Sequence, residues 1–356
     1  MKKTEILIVG HGLAGSLMAW ELQQAGIDFM VMNAPQIPRS SDVAGGLFNP
    51  LMFRKLRLAQ MVEDLWPVMQ ATYTAIEKHY GIKLMHHILS AKMVYDKELV
   101  EWEQGHEKKT APYIHALIKG ASVKGLKNVT ALGFISSSGY LDIVKWLEIS
   151  KKGLVEKGQF IEGELVYAKM KNFKDKIFIN NTIEASKIIF CEGAAVIKNP
   201  WFQADWLTPN KGELLEIQAP DLDEKYILRD EVFILPLGHH RFKVGATYSH
   251  DPVDTLPSED GRKELKAKLD KMISVSYKIT QHYAGVRPAI KDRMPVLGPH
   301  VNRENLFIFN GLGSRGVVLA PYCAKALVKS LLSNNEPIPA FVNVRRFAQL
   351  PHPIVY

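Results

Sequence analysis

The tightest constraint on the fold lies at residues 6–35, ILIVGHGLAGSLMAWELQQAGIDFMVMNAP. Gly10, Gly12 and Gly15 spell G-x-G-x-x-G between an aliphatic run, Ile6 to Val9, and an apolar helical pattern, Leu13 to Ala25, that includes Leu17, Trp20 and Leu22. A run without polar alternation predicts a strand buried on both faces. Gly26 can take the positive φ that ends a helix, and Asp28 to Met32 predict a second strand. In such a strand–helix–strand unit, Gly10 permits the tight turn. Gly12 lets a pyrophosphate approach the backbone, and Gly15 lets the helix lie close to the strand. The helix N-terminus adds free N–H groups and the positive end of its dipole. The unit is therefore expected to bind a dinucleotide; the plainer alternative is a tight turn in an ordinary α/β protein. Where Asp or Glu commonly holds a ribose, the chain has Asn33, whose amide can hydrogen-bond a hydroxyl without a charge.

A chain of 356 residues is long enough for two packed domains, and 47% hydrophobic residues exclude a disordered chain. No apolar run approaches the roughly 20 residues of a membrane span, so no membrane partner is expected. The N-terminal Met-Lys-Lys-Thr-Glu runs straight into the first strand and lacks the apolar core of a secretory signal. Cys191 and Cys323 form neither a disulfide framework nor a zinc pattern, which fits a reducing cytoplasm. The net charge of +8 favours acidic partners or is simply a solvated basic surface. The pairs His86-His87 and His239-His240 lack supporting ligands, so no metal is expected.

Beyond the first unit, residues 58–80 predict a helical stretch that Pro67 kinks or divides, and 83–95 predict two strands. The chain then reads as charged and irregular to about residue 135. Asp142 can cap a helix that follows it. Residues 176–180 and 187–191 predict strands, and GELLEIQ, EVFILPL and RFKVGAT suggest an antiparallel sheet. Residues 258–275 predict an amphipathic helix. LFIFNG predicts a strand, followed by a glycine-rich turn and an apolar helix over 316–333. The tail, with Pro337, Pro339, Pro351 and Pro353, is expected to be extended. Nucleotide-fold features at both ends and near the middle imply a discontinuous domain with a second threaded through it. A nicotinamide-dependent enzyme does not readily explain the second glycine-rich strand-to-helix turn near residue 311.

The most informative stretch is HYAGVRPAIKDRMPVLGPHVNRENLFIFNGLGSRGVVLAP. It carries Gly285, Arg287, Pro288, Asp292, Pro295 and Gly298, then Gly311, Gly313, Gly316, Ala320 and Pro321. This pattern resembles the D-amino-acid oxidase/glycine oxidase superfamily of flavoproteins. GGLFNP is similar to that family's second flavin-contacting loop, IIFCEGA to its strand ending in a glycine beside the cofactor, and ILPLGHHRFKVGATYSHD to its substrate-domain hairpin. Within the superfamily, GLGSRGVVLAP resembles the oxidase domain of bifunctional tRNA wobble-uridine modification enzymes, without the methyltransferase domain that precedes it there. Asn33 departs from the family's usual Glu.

The resemblance implies an α/β fold: a discontinuous, Rossmann-like FAD-binding domain over 1–84, 136–201 and 285–356, and an α+β substrate domain with a mainly antiparallel sheet over 85–135 and 202–284. It implies FAD, which is expected to be bound non-covalently. Gly10, Gly12 and Gly15 would cradle the pyrophosphate and Asn33 would face the adenosine ribose. Gly45, Gly46 and Gly193 would pass near the cofactor. Gly311, Gly313, Arg315 and Gly316 would form a turn that aims a helix N-terminus at the flavin, where a positive dipole end favours the reduced ring. Arg287 would hold a substrate carboxylate in a bidentate fork, with Tyr248 and Phe233 at substrate-lining positions; each of the two aromatics could equally be core. His11 is read as filling space inside the first glycine loop. The implied reaction is oxidation of an amino acid or N-substituted glycine: hydride from Cα to flavin, imine hydrolysis, and reoxidation by dioxygen to hydrogen peroxide. The partner is a small-molecule amine with a carboxylate. The alternative is a carboxymethylaminomethyl wobble uridine in tRNA, itself an N-substituted glycine. A non-catalytic flavin-binding protein is a third reading, with no positive feature in its favour.

Overall fold

A computed structural model describes residues 1–53, 56–104, 109–251, 253–333 and 336–347. The chain divides into two compact units: Met1–Asp42, Ile143–Asn210 and Val286–Tyr356 form the first, Val43–Asp142 and Lys211–Gly285 the second.

The first unit is built on an eight-stranded sheet. Five strands run parallel in the order Phe160–Glu162, Phe29–Asn33, Lys2–Val9, Ile183–Phe190, Arg303–Asn310. Ile177–Ile179, Lys171–Asn172 and Val296–His300 extend it in antiparallel pairings. The central strands are covered on both faces, as their unalternating sequences require: Ile6, Leu7, Ile8, Ile188, Ile189 and Phe190 are all buried. Helix Leu13–Gln24 is buried around most of its circumference. From helix Ile143–Glu156, Trp146 stands edge-on to Trp20 and donates its indole N–H to Ser16 Oγ at 2.8 Å.

The second unit holds another eight-stranded sheet, in the order Lys278–Arg287, Asn210–Gln218, Arg241–Gly245, Phe233–Gly238, Ile227–Arg229, Ser90–Val94, Ala131–Ile135, Ile114–Lys119. From Asn210–Gln218 to Ile114–Lys119 the pairings are antiparallel, except that Ile227–Arg229 runs parallel to Ser90–Val94. Leu215, Ile217, Ile234, Phe242 and Val244 form its core with Leu265, Leu269 and Met272 of helix Glu259–Met272. Ser258 caps that helix, its Oγ accepting the Gly261 N–H at 3.0 Å. The fold is thus α/β, with a discontinuous Rossmann-like unit and a mainly antiparallel α+β unit.

Several boundaries differ from the sequence expectation. Residues 43–84 and 136–142 lie in the second unit and 202–210 in the first. The cause is a small sheet: Leu47–Phe48 pairs with Gly139–Leu141, which pairs with Met85–His87. Three two- or three-residue strands far apart in the chain leave no periodic signal. The stretch expected to be irregular to residue 135 holds helix Asp96–Gln104 and strands Ile114–Lys119 and Ala131–Ile135. Ile114–Lys119 is an edge strand with no buried residue, and its apolar residues Ile114, Ala116, Leu117 and Ile118 do not alternate with polar ones, so no strand period shows. Helix Val62–Tyr80 runs through Pro67 without being divided. Pro351 and Pro353 lie outside the described residues. Among the described residues, no helix is long and apolar enough to cross a membrane.

Candidate functional site

The first glycine loop is packed as its spacing requires. Gly10 has φ +102°, and a Cβ there would collide with the Cys191 carbonyl; a Cβ on Gly15 would collide with the Gly10 carbonyl. These two glycines therefore bring helix, turn and sheet together. Gly12 differs: it is the helix N-cap with φ −88°, and a Cβ would meet only Ser41 Oγ, at 3.3 Å. Its outer side is left open to a ligand.

Side chains around the loop secure it. Asn33 Oδ1 accepts the His11 N–H at 2.9 Å, and Arg39 donates through Nη1 to the His11 carbonyl at 2.7 Å. Ser41 Oγ accepts the Leu13 N–H at 3.1 Å. Asn33 thus ties the loop to the second strand through its oxygen, and its Nδ2 remains available to donate to a hydroxyl. His11 is fully buried, with Nε2 3.1 Å from Ser150 Oγ and its ring edge-on to Phe160. Burial pushes its pKa down to about 3, so a neutral imidazole sits beneath the loop.

Helix Leu13–Gln24 has no side-chain cap from its N-cap residue and no acidic residue in its first turn, and the same holds for helix Gly316–Leu332. The two starts are close: a Cβ on Gly316 would lie 3.1 Å from Leu13 Cδ2. Two N-termini with no competing carboxylate in their first turns, beside a glycine cradle, suit an anionic dinucleotide. These residues fit FAD in type and arrangement.

The turns joined to this cradle carry the other expected residues of the first unit. Asn310 links two of them, donating through Nδ2 to the Gly193 carbonyl at 2.9 Å and accepting the Gly311 N–H on Oδ1 at 2.8 Å. Gly193, Gly311 and Gly313 all have positive φ. Gly313 donates its N–H to the Pro288 carbonyl at 3.2 Å, which joins the last glycine turn to the segment carrying Arg287. Arg315 is the N-cap residue of the last helix, and burial lowers its pKa. Arg287 ends strand Lys278–Arg287 and donates through Nη1 to Asn210 Oδ1 at 2.7 Å. Asn210 is fully buried. Asn210→Ala removes the acceptor of a charged hydrogen bond and is expected to lower stability by about 1.5–3 kcal/mol in a urea melt. An unchanged midpoint would show that the pair contributes nothing to the fold.

The second unit holds the remaining expected residues. Gly46 has φ +65° and its carbonyl accepts the Leu141 N–H at 2.9 Å; a Cβ would collide with the Leu141 backbone. A Cβ on Gly45 would lie 3.0 Å from Phe233 Cζ. Lys243 Nζ reaches the carbonyls of Val43 and Ala44 at 3.4 and 3.5 Å, just ahead of these glycines, and burial lowers its pKa. Tyr248 is 66% exposed and edge-on to His250, so it is not core. Phe233 is half-buried.

Sequence reasoning missed Arg39, Ser41, Asn210, Lys243 and Asn310, each of which acts through at least one hydrogen bond to a residue distant in the chain. Only Asn310, immediately before Gly311 in FNG, carried a local hint of turn chemistry.

Comparison with known proteins agrees with this architecture. The family model described as "DAO: FAD dependent oxidoreductase" matches residues 5–330. Glycine oxidase of Pseudomonas aeruginosa is 23% identical over 94% of this chain and 96% of its own length. The tRNA 5-methylaminomethyl-2-thiouridine biosynthesis bifunctional protein MnmC of Legionella pneumophila is 24% identical over 90% of this chain, which spans 53% of that relative. Among solved structures, iminodiacetate oxidase from Chelativorans sp. BNC1 superposes with a TM-score of 0.77 at 17% identity, covering 94% of this chain and 97% of that one.

Proposed function

This chain belongs to the DAO family of FAD-dependent oxidoreductases, and on that premise we propose that it oxidises an amino acid or N-substituted glycine at the bond between nitrogen and Cα. The observation that carries this reading is Arg287. Its guanidinium is oriented by Asn210, and its segment is bonded through Pro288 to the glycine turn at the start of the last helix. A guanidinium held in one direction suits a carboxylate, which it can bind through two parallel N–H bonds. When bound in the cradle of Gly10, Gly12 and Gly15, FAD would supply a two-electron acceptor for the Cα hydride, with dioxygen as the final oxidant reduced to hydrogen peroxide. The chain's own contribution is to orient the substrate and to present positive helix ends to the cofactor. The amine must be neutral when its Cα–H leaves, and the resulting imine hydrolyses in water, so no side-chain base is assigned. The names of the relatives, glycine oxidase and iminodiacetate oxidase, describe substrates of this class.

A second reading, oxidation of a carboxymethylaminomethyl uridine in tRNA, is supported by the match to the bifunctional tRNA enzyme and by the net charge of +8. It predicts a steep salt dependence of binding. The test of both is anaerobic bleaching of the flavin, with peroxide release in air, across glycine, sarcosine, D-alanine, D-proline and hypomodified tRNA. A response to tRNA alone selects the second reading. No response to any amine would leave a non-catalytic flavoprotein.

FAD is expected to be bound non-covalently, because Cys191 and Cys323 are both buried thiols whose pKa burial raises. Acid precipitation should leave the yellow colour in the supernatant; colour retained in the pellet would show a covalent link.

A further inference from the structure

At the edge of the first unit's sheet, strands Lys171–Asn172 and Ile177–Ile179 form a hairpin beside Ile183–Phe190. Its pairing lines up Lys171, Phe178, Glu184 and Lys3 across four strands, and the next row holds Asn172, Ile177, Ala185 and Thr4. Directly opposed residues project to the same face of a sheet, and successive rows to opposite faces. Ile177, Ala185 and Thr4 are buried, so their row faces the interior. Lys171 and Lys3 are exposed and Phe178 and Glu184 half-buried, so the other face is open to solvent.

The connecting turn presents an aromatic ring on this open face. Phe173 is 57% exposed and stands edge-on to Phe178, with ring centroids 5.9 Å apart. Hydrogen bonds hold the turn. Phe173 donates its N–H to the Lys176 carbonyl at 2.8 Å, and its own carbonyl accepts from Nδ2 of the buried Asn305 at 2.9 Å. The same Nδ2 donates to Asn172 Oδ1 at 2.7 Å. A phenyl ring exposed on an ordered turn loses little freedom when a partner covers it. Cations surround the ring. Residues 169–176, KMKNFKDK, hold four lysines and one acid, Asp175. On the open face the Glu184 carboxylate is shared by Lys176 at 3.1 Å and Lys3 at 3.9 Å, which leaves that group net positive.

Lysines spaced around an exposed aromatic match the chemistry of an RNA strand, which offers phosphates to the cations and a base face to the ring. An anionic lipid surface matches less well. Inserting Phe173 would carry the exposed Asp175 carboxylate, two residues on in the same turn, against headgroups of like charge. We propose that this hairpin face is an RNA contact surface, with Phe173 stacking on an unpaired base and Lys171 and Lys174 binding the flanking phosphates. The partner comes from the tRNA reading above, on which the inference rests; it is tested by binding rather than by bleaching of the flavin, so the two fail separately. The measurement is fluorescence anisotropy of labelled hypomodified tRNA with the FAD-loaded protein at several salt concentrations, for wild type, Phe173→Ala and the double variant Lys171→Gln/Lys174→Gln. Phe173→Ala should weaken binding about fivefold or more, the loss of one stacked base, with the salt dependence unchanged. The double variant should weaken binding and flatten the slope of log affinity against log salt by about 1.4–1.8, one phosphate contact per lysine. All three proteins should melt at the same temperature, because the altered side chains are exposed. Failure of wild type to bind tRNA, or variants that bind as wild type does, overturns the proposal. So does loss of flotation with phosphatidylserine vesicles in the variants while tRNA binding is intact, which would make the face a lipid contact. Bleaching of the flavin by tRNA, with unchanged tRNA affinity in the variants, leaves the tRNA reading standing and sinks only the hairpin assignment.

Discussion

Gly12→Val is expected to purify as a folded, colourless protein. The backbone at Gly12 has φ −88°, which any residue adopts, and a Cβ meets only the hydroxyl of Ser41, the end of a small rotatable side chain. The cost to the apoprotein is therefore small. The cost to cofactor binding is large, because the isopropyl group occupies the side of the turn where a pyrophosphate approaches the backbone. Gly15→Ala is the contrasting variant: its Cβ collides with the Gly10 carbonyl, so the helix must shift, and stability should fall by roughly 1–3 kcal/mol or more, as overpacking typically costs. Two measurements separate the effects, the ratio of flavin absorbance to protein absorbance and the thermal melt by circular dichroism. Gly12→Val with a normal flavin ratio would mean that the first glycine loop does not hold the cofactor.

Arg287→Ala is expected to keep FAD and lose its grip on the substrate. One charge-assisted hydrogen bond contributes roughly 1.5–3 kcal/mol, so the substrate concentration that half-saturates anaerobic flavin reduction should rise about ten- to hundredfold. Arg287→Lys retains the charge but not the planar fork, and should fall between Ala and wild type. Arg287 also donates to Asn210, so Arg287→Ala should melt lower than wild type; its flavin content shows whether the cradle survives. Unchanged half-saturation and reduction rate in Arg287→Ala would remove the carboxylate assignment, and with it the main reason for placing the substrate among amino acids.

What the sequence determined by itself is what short-range physics encodes. The strand–glycine–helix order of residues 6–25, the need for glycine at positions 10 and 15, the apolar helix after residue 316 and the alternating strands near residues 210–245 all follow from backbone freedom and side-chain period within a few residues. The motif from Gly285 to Pro321 carried the family for the same reason: its glycines, prolines and arginine sit at fixed spacing along one stretch of chain. Tertiary structure alone decided which segments belong together. Residues 43–84 join the second unit through two- and three-residue strands too short to show a period, and the edge strand Ile114–Lys119, whose residues do not alternate, is identified by its partner rather than by its own residues. The same holds for polar side chains. Asn210 and Arg287 are 77 positions apart, and Arg39 reaches the carbonyl of His11. Whether such a group is solvated, paired or buried and open depends on sheet register and packing, which place distant residues within hydrogen-bond range and which no local pattern specifies.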